Sequence, residues 1–123
     1  MTHCFSIARL PRIEFGAGVF KTIPDIIARF GSRILLVTGA RSFSQTTHWQ
    51  FLLDQLEQRS MHWQHCTIAE EPSPILIDQL VKTFADHDFD AVLGIGGGSA
   101  LDAAKAIAGL LKVKRSIMDY LEG

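Results

Sequence analysis

Cysteine is scarce in this chain, net charge is almost absent and no long apolar run occurs, and each shortage removes a class of protein. The two cysteines, Cys4 and Cys66, stand in neither C-x-x-C spacing nor any pattern with histidine that would close a zinc site, so neither a disulfide framework nor a zinc module is expected. Twelve basic and 13 acidic residues are mixed along the sequence for a net charge of −1, which leaves no basic face to hold nucleic acid by its phosphates. No apolar signal or membrane-length run precedes the fold, and no membrane partner is expected. Reduced cysteines and the missing signal together fit a cytoplasmic protein. Repeats, low-complexity tracts and a recognisable linker are also lacking. At 123 residues and 47% hydrophobic content, the chain is long enough for one real core and too short for a second full domain.

What is present is an alternation of strand and helix patterns. Arg12 to Phe15 reads as an extended stretch ended by Gly16-Ala17-Gly18, and Val19, Ile23, Ile26, Ile27 and Phe30 then recur at helical spacing up to Gly31, placed like a C′ stop. Ile34-Leu35-Leu36-Val37 is a short continuous apolar run, the mark of a strand covered on both faces. Phe51, Leu52 and Leu56 mark an amphipathic helix, and Trp63 to Ile68 is strand-like until Glu70-Glu71-Pro72 ends it. Ser73-Pro74 restarts a helix as N-cap and first helical residue, with Ile77, Leu80, Val81 and Phe84 as its apolar face. After the Asp86-His87-Asp88 turn, Ala91-Val92-Leu93-Gly94-Ile95 is the next buried strand. The expected fold is α/β: a Rossmann-like, doubly wound, mainly parallel sheet with helices on both faces and ligands at the carboxyl ends of its strands.

The run from Gly94 to Lys105 follows that strand and opens an Ala-rich helix, placing a turn nearly free of side chains at a helix N-terminus. Unpaired N–H groups and the positive end of the macrodipole face outward there, and glycine lets an anion approach closer than any Cβ permits. The turn is not a P-loop, because no lysine precedes Ser99. It is not a standard dinucleotide fingerprint either: Gly94 and Gly96 match its first two glycines, but Ser99 holds the third place.

The wider string, Gly96-Gly97-Gly98-Ser99 with Asp102, Ala104 and Lys105, resembles the signature of the iron-containing alcohol dehydrogenases. Ile13 to Gly18 resembles that family's first strand and turn, Ile34 to Thr38 its nucleotide strand, Glu71 to Pro74 its pre-helix turn, and Ile117 to Tyr120 the segment after the signature helix. The resemblance covers the whole chain. It implies residues 1–123 as an N-terminal dinucleotide-binding domain without the helical C-terminal domain that carries the family's metal ligands. The fragment by itself is then expected to bind no iron or zinc and to be inactive.

Carried over by position, the resemblance gives Gly96, Gly97, Gly98 and Ser99 to the pyrophosphate. Asp102 goes either to the nicotinamide ribose or to a plain acidic role in a first helical turn. Lys105, in the second turn, reads as a solvated residue. Gly39 stands where many relatives have an aspartate that accepts bonds from the adenosine ribose and repels a 2′-phosphate; with Ser42 or Arg41 beside it, the cofactor leans to NADP over NAD. Gly39 can equally be a simple turn residue. The five histidines assemble no metal constellation: His62 and His65, three apart on a strand, face opposite sides, and His3, His48 and His87 are isolated. No nucleophile with a base and no carboxylate pair is found, so no catalytic residue is expected here. The resemblance implies an oxidoreductase acting on a small alcohol or carbonyl substrate, working as a homodimer through pairing of the Arg12 to Phe15 strands. Glycerol dehydrogenase, maleylacetate reductase and a non-catalytic nucleotide-binding module are the alternatives.

Overall fold

Ile34, Leu35, Leu36, Val37 and Thr38 are all at 0% exposure, which an isolated strand or a one-sided sheet cannot achieve. The computed structural model describes residues 12–15, 23–29, 31–39, 47–69, 71–113 and 115–120. In it the run lies in β2 (Arg33–Gly39), inside a five-stranded sheet with β1 (Arg12–Phe15), β3 (His62–Ile68), β4 (Ala91–Gly96) and β5 (Arg115–Tyr120). The order is β1-β5-β4-β2-β3, and every pairing is parallel.

The two faces of the sheet carry separate cores. Ile34, Leu36, Ala91, Leu93 and Ile95 pack with Ile27 of α1 (Ile23–Ala28) and with Leu52 and Leu56 of α2 (Thr47–Gln58). On the other face Leu35, Val37, Val92, Cys66 and Ile68 meet Ile77 and Phe84 of α3 (Pro74–Phe84) and the inner side of α4 (Gly98–Leu110). Strand alternation makes this split, since neighbouring residues face opposite ways. The doubly wound α/β expectation therefore holds. Alanines at 100, 103 and 104 are buried and let α4 lie close to the sheet.

Local chemistry sets the boundaries. Ser73 caps α3 in extended conformation, its Oγ accepting the Leu76 N–H at 3.1 Å, and Pro74 opens the helix as the sequence predicts. The Asp90 carboxylate accepts the N–H groups of Ser32 and Arg33 at 2.9 and 3.0 Å, tying the start of β4 to the start of β2. Gly31, at φ +145°, packs so tightly there that a Cβ would overlap Asp90. Helix α1 covers Ile23–Ala28 and so contains Ile23, Ile26 and Ile27 of the apolar spacing, while Val19 and Phe30 lie outside the described residues.

From β2 the chain moves outward to β3, then returns past β2 to β4 and continues to β5. The connections after β2 and β4 consequently lead to helices on opposite faces, α2 and α4. The crevice between those strand ends is the topological switch point, where open α/β sheets bind ligands.

Candidate functional site: the glycine turn at the ends of β2 and β4

Gly96 ends β4 at φ +141°, a conformation L side chains rarely adopt. A Cβ there would lie 3.3 Å from the Ala100 Cβ and 3.3 Å from the backbone nitrogen of Gly39. This glycine is required by the backbone itself: it turns the chain into α4 while pressing the turn against the end of β2.

Gly97 and Gly98 differ. Gly97, the N-cap of α4, has φ −87° and ψ −169°, ordinary extended geometry, with no side chain capping the helix. The positive φ of the turn belongs to Gly96 and not to Gly97. Among the described residues, Cβ atoms added at Gly97, Gly98 or Gly39 would meet nothing within 4 Å. Neither backbone conformation nor packing asks for glycine at these positions, and together they leave an open cradle at the switch point. The first bond of α4 runs from the Leu101 N–H to the Gly97 carbonyl at 3.1 Å, so the N–H groups of Gly98, Ser99 and Ala100 have no acceptor within their own helix. Such a helix end favours an anion.

Ser99 is half-buried in the first turn, and its hydroxyl donates to the Glu71 carboxylate at 3.0 Å. Nothing in the local sequence marks Glu71 as this partner: the pair is 28 positions apart and is made by the loop before α3 meeting the start of α4. Asp102 is exposed and stands fifth in α4, so the reading of it as a first-turn acid is corrected by one position. Lys105 is exposed one turn further on. Arg41 and Ser42 lie outside the described residues.

A second cluster adjoins the cradle. Thr38, next to Gly39, is fully buried, and its hydroxyl bonds His65 Nε2 at 2.8 Å. The His65 ring lies 4.5 Å from that of Trp49 on α2, centroid to centroid. Burial disfavours the imidazolium and lowers the His65 pKa below the usual imidazole value. The same cause pushes the buried Cys66 thiol up to about 11. His62 points to the other face, as strand alternation requires. Among the described residues no three His, Cys, Asp or Glu side chains are grouped to hold a metal ion, and no helix is long and apolar enough to cross a membrane.

Known proteins share this fold. The crystal structure of an iron-containing alcohol dehydrogenase superposes with a TM-score of 0.72 at 32% identity, covering 83% of this chain and 28% of that one. An iron-containing alcohol dehydrogenase from Thermotoga maritima also gives 0.72 at 32% identity, over 83% of this chain and 29% of its own. Among curated proteins, the long-chain primary alcohol dehydrogenase of Thermoanaerobacter ethanolicus is 32% identical over 103 residues, 80% of this chain and 26% of that protein. The NADH-dependent butanol dehydrogenase B of Clostridium acetobutylicum is 31% identical over 99 residues, 79% of this chain and 25% of that one. The chain thus spans about a quarter of the length of the curated relatives it matches. The sequence model described as iron-containing alcohol dehydrogenase matches residues 11–123, glycine turn included, and with the shared parallel sheet this places the chain in the iron-containing alcohol dehydrogenase family.

Proposed function

We propose that residues 1–123 form the dinucleotide-binding domain of an alcohol dehydrogenase, an oxidoreductase that interconverts a small alcohol and its aldehyde or ketone. The observation that carries this reading is the cradle: among the described residues nothing fills the space where side chains at Gly39, Gly97 and Gly98 would sit, beside three helix N–H groups without helical acceptors. A pyrophosphate fills such a space, with Gly96, Gly97, Gly98 and Ser99 around it and Asp102 on the side of the nicotinamide ribose. The dinucleotide supplies the hydride chemistry; the chain's own residues bind and orient it. The described residues offer no ligand set for iron or zinc, so no step is assigned to a metal here.

Gly39 brings no carboxylate to the end of β2, which is the ground for an NADP preference. Against it, relatives whose names state a coenzyme are NADH-dependent. We take NAD(H) as the coenzyme, with NADP(H) accepted because nothing on Gly39 repels the 2′-phosphate. Strand β1 stands at one edge of the sheet with β5 as its neighbour, a placement that supports pairing with a second copy and a homodimer. A cytoplasmic setting, with neither nucleic acid nor a membrane as partner, completes the reading.

Titration of the purified chain with NADH and NADPH, followed by coenzyme fluorescence, tests it. Saturable binding of both, with NADH at least as tight, is expected; no saturable binding of either would refute the assignment.

A further inference from the structure

Resting on that reading of the cradle, we infer that Glu71 is a specificity and release residue for the bound dinucleotide, acting by competing with its pyrophosphate for the Ser99 hydroxyl. A serine hydroxyl has one proton to donate. Here that proton goes to Glu71 Oε1 at 3.0 Å. For Ser99 to donate to a phosphate oxygen, its hydroxyl must turn away from Glu71, so the two bonds are mutually exclusive.

Charge adds to the competition. Glu71 is on the exposed end of the loop before α3, within one hydroxyl of the helix end that receives the phosphates. A carboxylate and a pyrophosphate sharing one hydroxyl lie a few ångströms apart, where like charges repel appreciably even in water. Among the described residues no basic side chain forms an ion pair with Glu71 to cancel its charge. With the dinucleotide absent, Glu71 holds the hydroxyl in place; with it present, Glu71 weakens the grip on every phosphate-bearing ligand. The consequence is a looser complex and faster departure of the coenzyme, while a neutral ligand such as adenosine is unaffected.

The test compares wild type, Glu71→Gln, Glu71→Ala and Ser99→Ala by titration with NADH, inorganic pyrophosphate and adenosine, at low and high salt. Glu71→Gln keeps a hydrogen-bond acceptor and removes the charge, so it separates the two effects. Both Glu71 variants are expected to bind NADH and pyrophosphate roughly three- to tenfold more tightly than wild type at low salt, by slower dissociation, with a smaller gain at high salt. Adenosine affinity should not move, and Ser99→Ala should bind NADH more weakly. Glu71 variants that bind NADH no better than wild type, or worse, would overturn the inference and leave the coenzyme assignment standing. Wild type that binds no dinucleotide at all would remove both. An equal gain for adenosine would also overturn it, because it would show a structural effect in place of competition for phosphate.

Discussion

Adjacent glycines at the end of β4 should respond to the same substitution in opposite ways. Gly96→Ala puts a Cβ on a residue at φ +141°, 3.3 Å from both the Ala100 Cβ and the Gly39 nitrogen. Backbone strain of this kind costs about 1–3 kcal/mol, and the contacts to a buried alanine and to backbone can relax only by shifting α4 or β2. For a chain of this size, that corresponds to a fall in Tm on the order of 5–10 °C. Gly97→Ala has neither problem: φ is −87° and the added methyl meets nothing within 4 Å among the described residues. Its stability should stay within about 0.5 kcal/mol of wild type, the small loss at an N-cap being offset by reduced freedom of the unfolded chain. On the proposed reading, however, the methyl stands where the pyrophosphate approaches. Losing one charge-assisted bond of about 1.5–3 kcal/mol lowers NADH affinity by roughly ten- to a hundredfold. Thermal unfolding and NADH titration on both variants form the assay. If Gly97→Ala unfolds as early as Gly96→Ala, or binds NADH like wild type, the division into a fold-required glycine and ligand-required glycines is wrong.

Gly39→Asp should raise the ratio of the NADPH to NADH dissociation constants on the order of tenfold or more, since it introduces a carboxylate that repels a 2′-phosphate and accepts bonds from ribose hydroxyls; an unchanged ratio would move the adenosine ribose away from β2. Asp90→Ala removes the acceptor of two backbone N–H groups and should destabilise the chain by about 2–4 kcal/mol in denaturant unfolding, with no loss of cooperativity. His65 is lowered in pKa by burial, so the unfolded chain binds its proton more readily; its contribution to stability is complete above the ordinary imidazole value near 6.5 and declines as pH falls below it. His65→Gln should therefore show a shallower loss of stability between about pH 6.5 and 5 than wild type; parallel curves would show that His65 does not titrate with folding.

The fold was readable because its signals are local and mutually consistent. A run of apolar residues from Ile34 to Val37 has only one comfortable place in a 123-residue protein, the middle of a parallel sheet, and Ser73-Pro74 encodes a helix start by capping chemistry alone. The Ile23–Ala28 helix was legible from the spacing of Ile23, Ile26 and Ile27. Contacts made by convergence were not legible at all. Ser99 with Glu71, Thr38 with His65 and Asp90 with Ser32 join residues 28, 27 and 58 positions apart, and each depends on which strand ends the topology places side by side.

The glycine turn shows how far a motif can be read without its backbone. Four glycines between 94 and 98 look equivalent in the sequence, yet the constraints on them differ. Gly94 is buried within β4, and Gly96 alone carries the positive φ of the turn. Gly97 and Gly98 leave room for a Cβ among the described residues, so beyond the N-cap preference at Gly97 the proposed reason for glycine there is a bound ligand. An empty, unstrained position at a helix N-terminus can be occupied by an alanine without harm to the fold. Glycine there, beside helix N–H groups without helical acceptors, suits a ligand that needs the space. What the backbone requires and what glycine supplies differ at these positions, whatever the family, and the difference supports the anion site proposed at these strand ends.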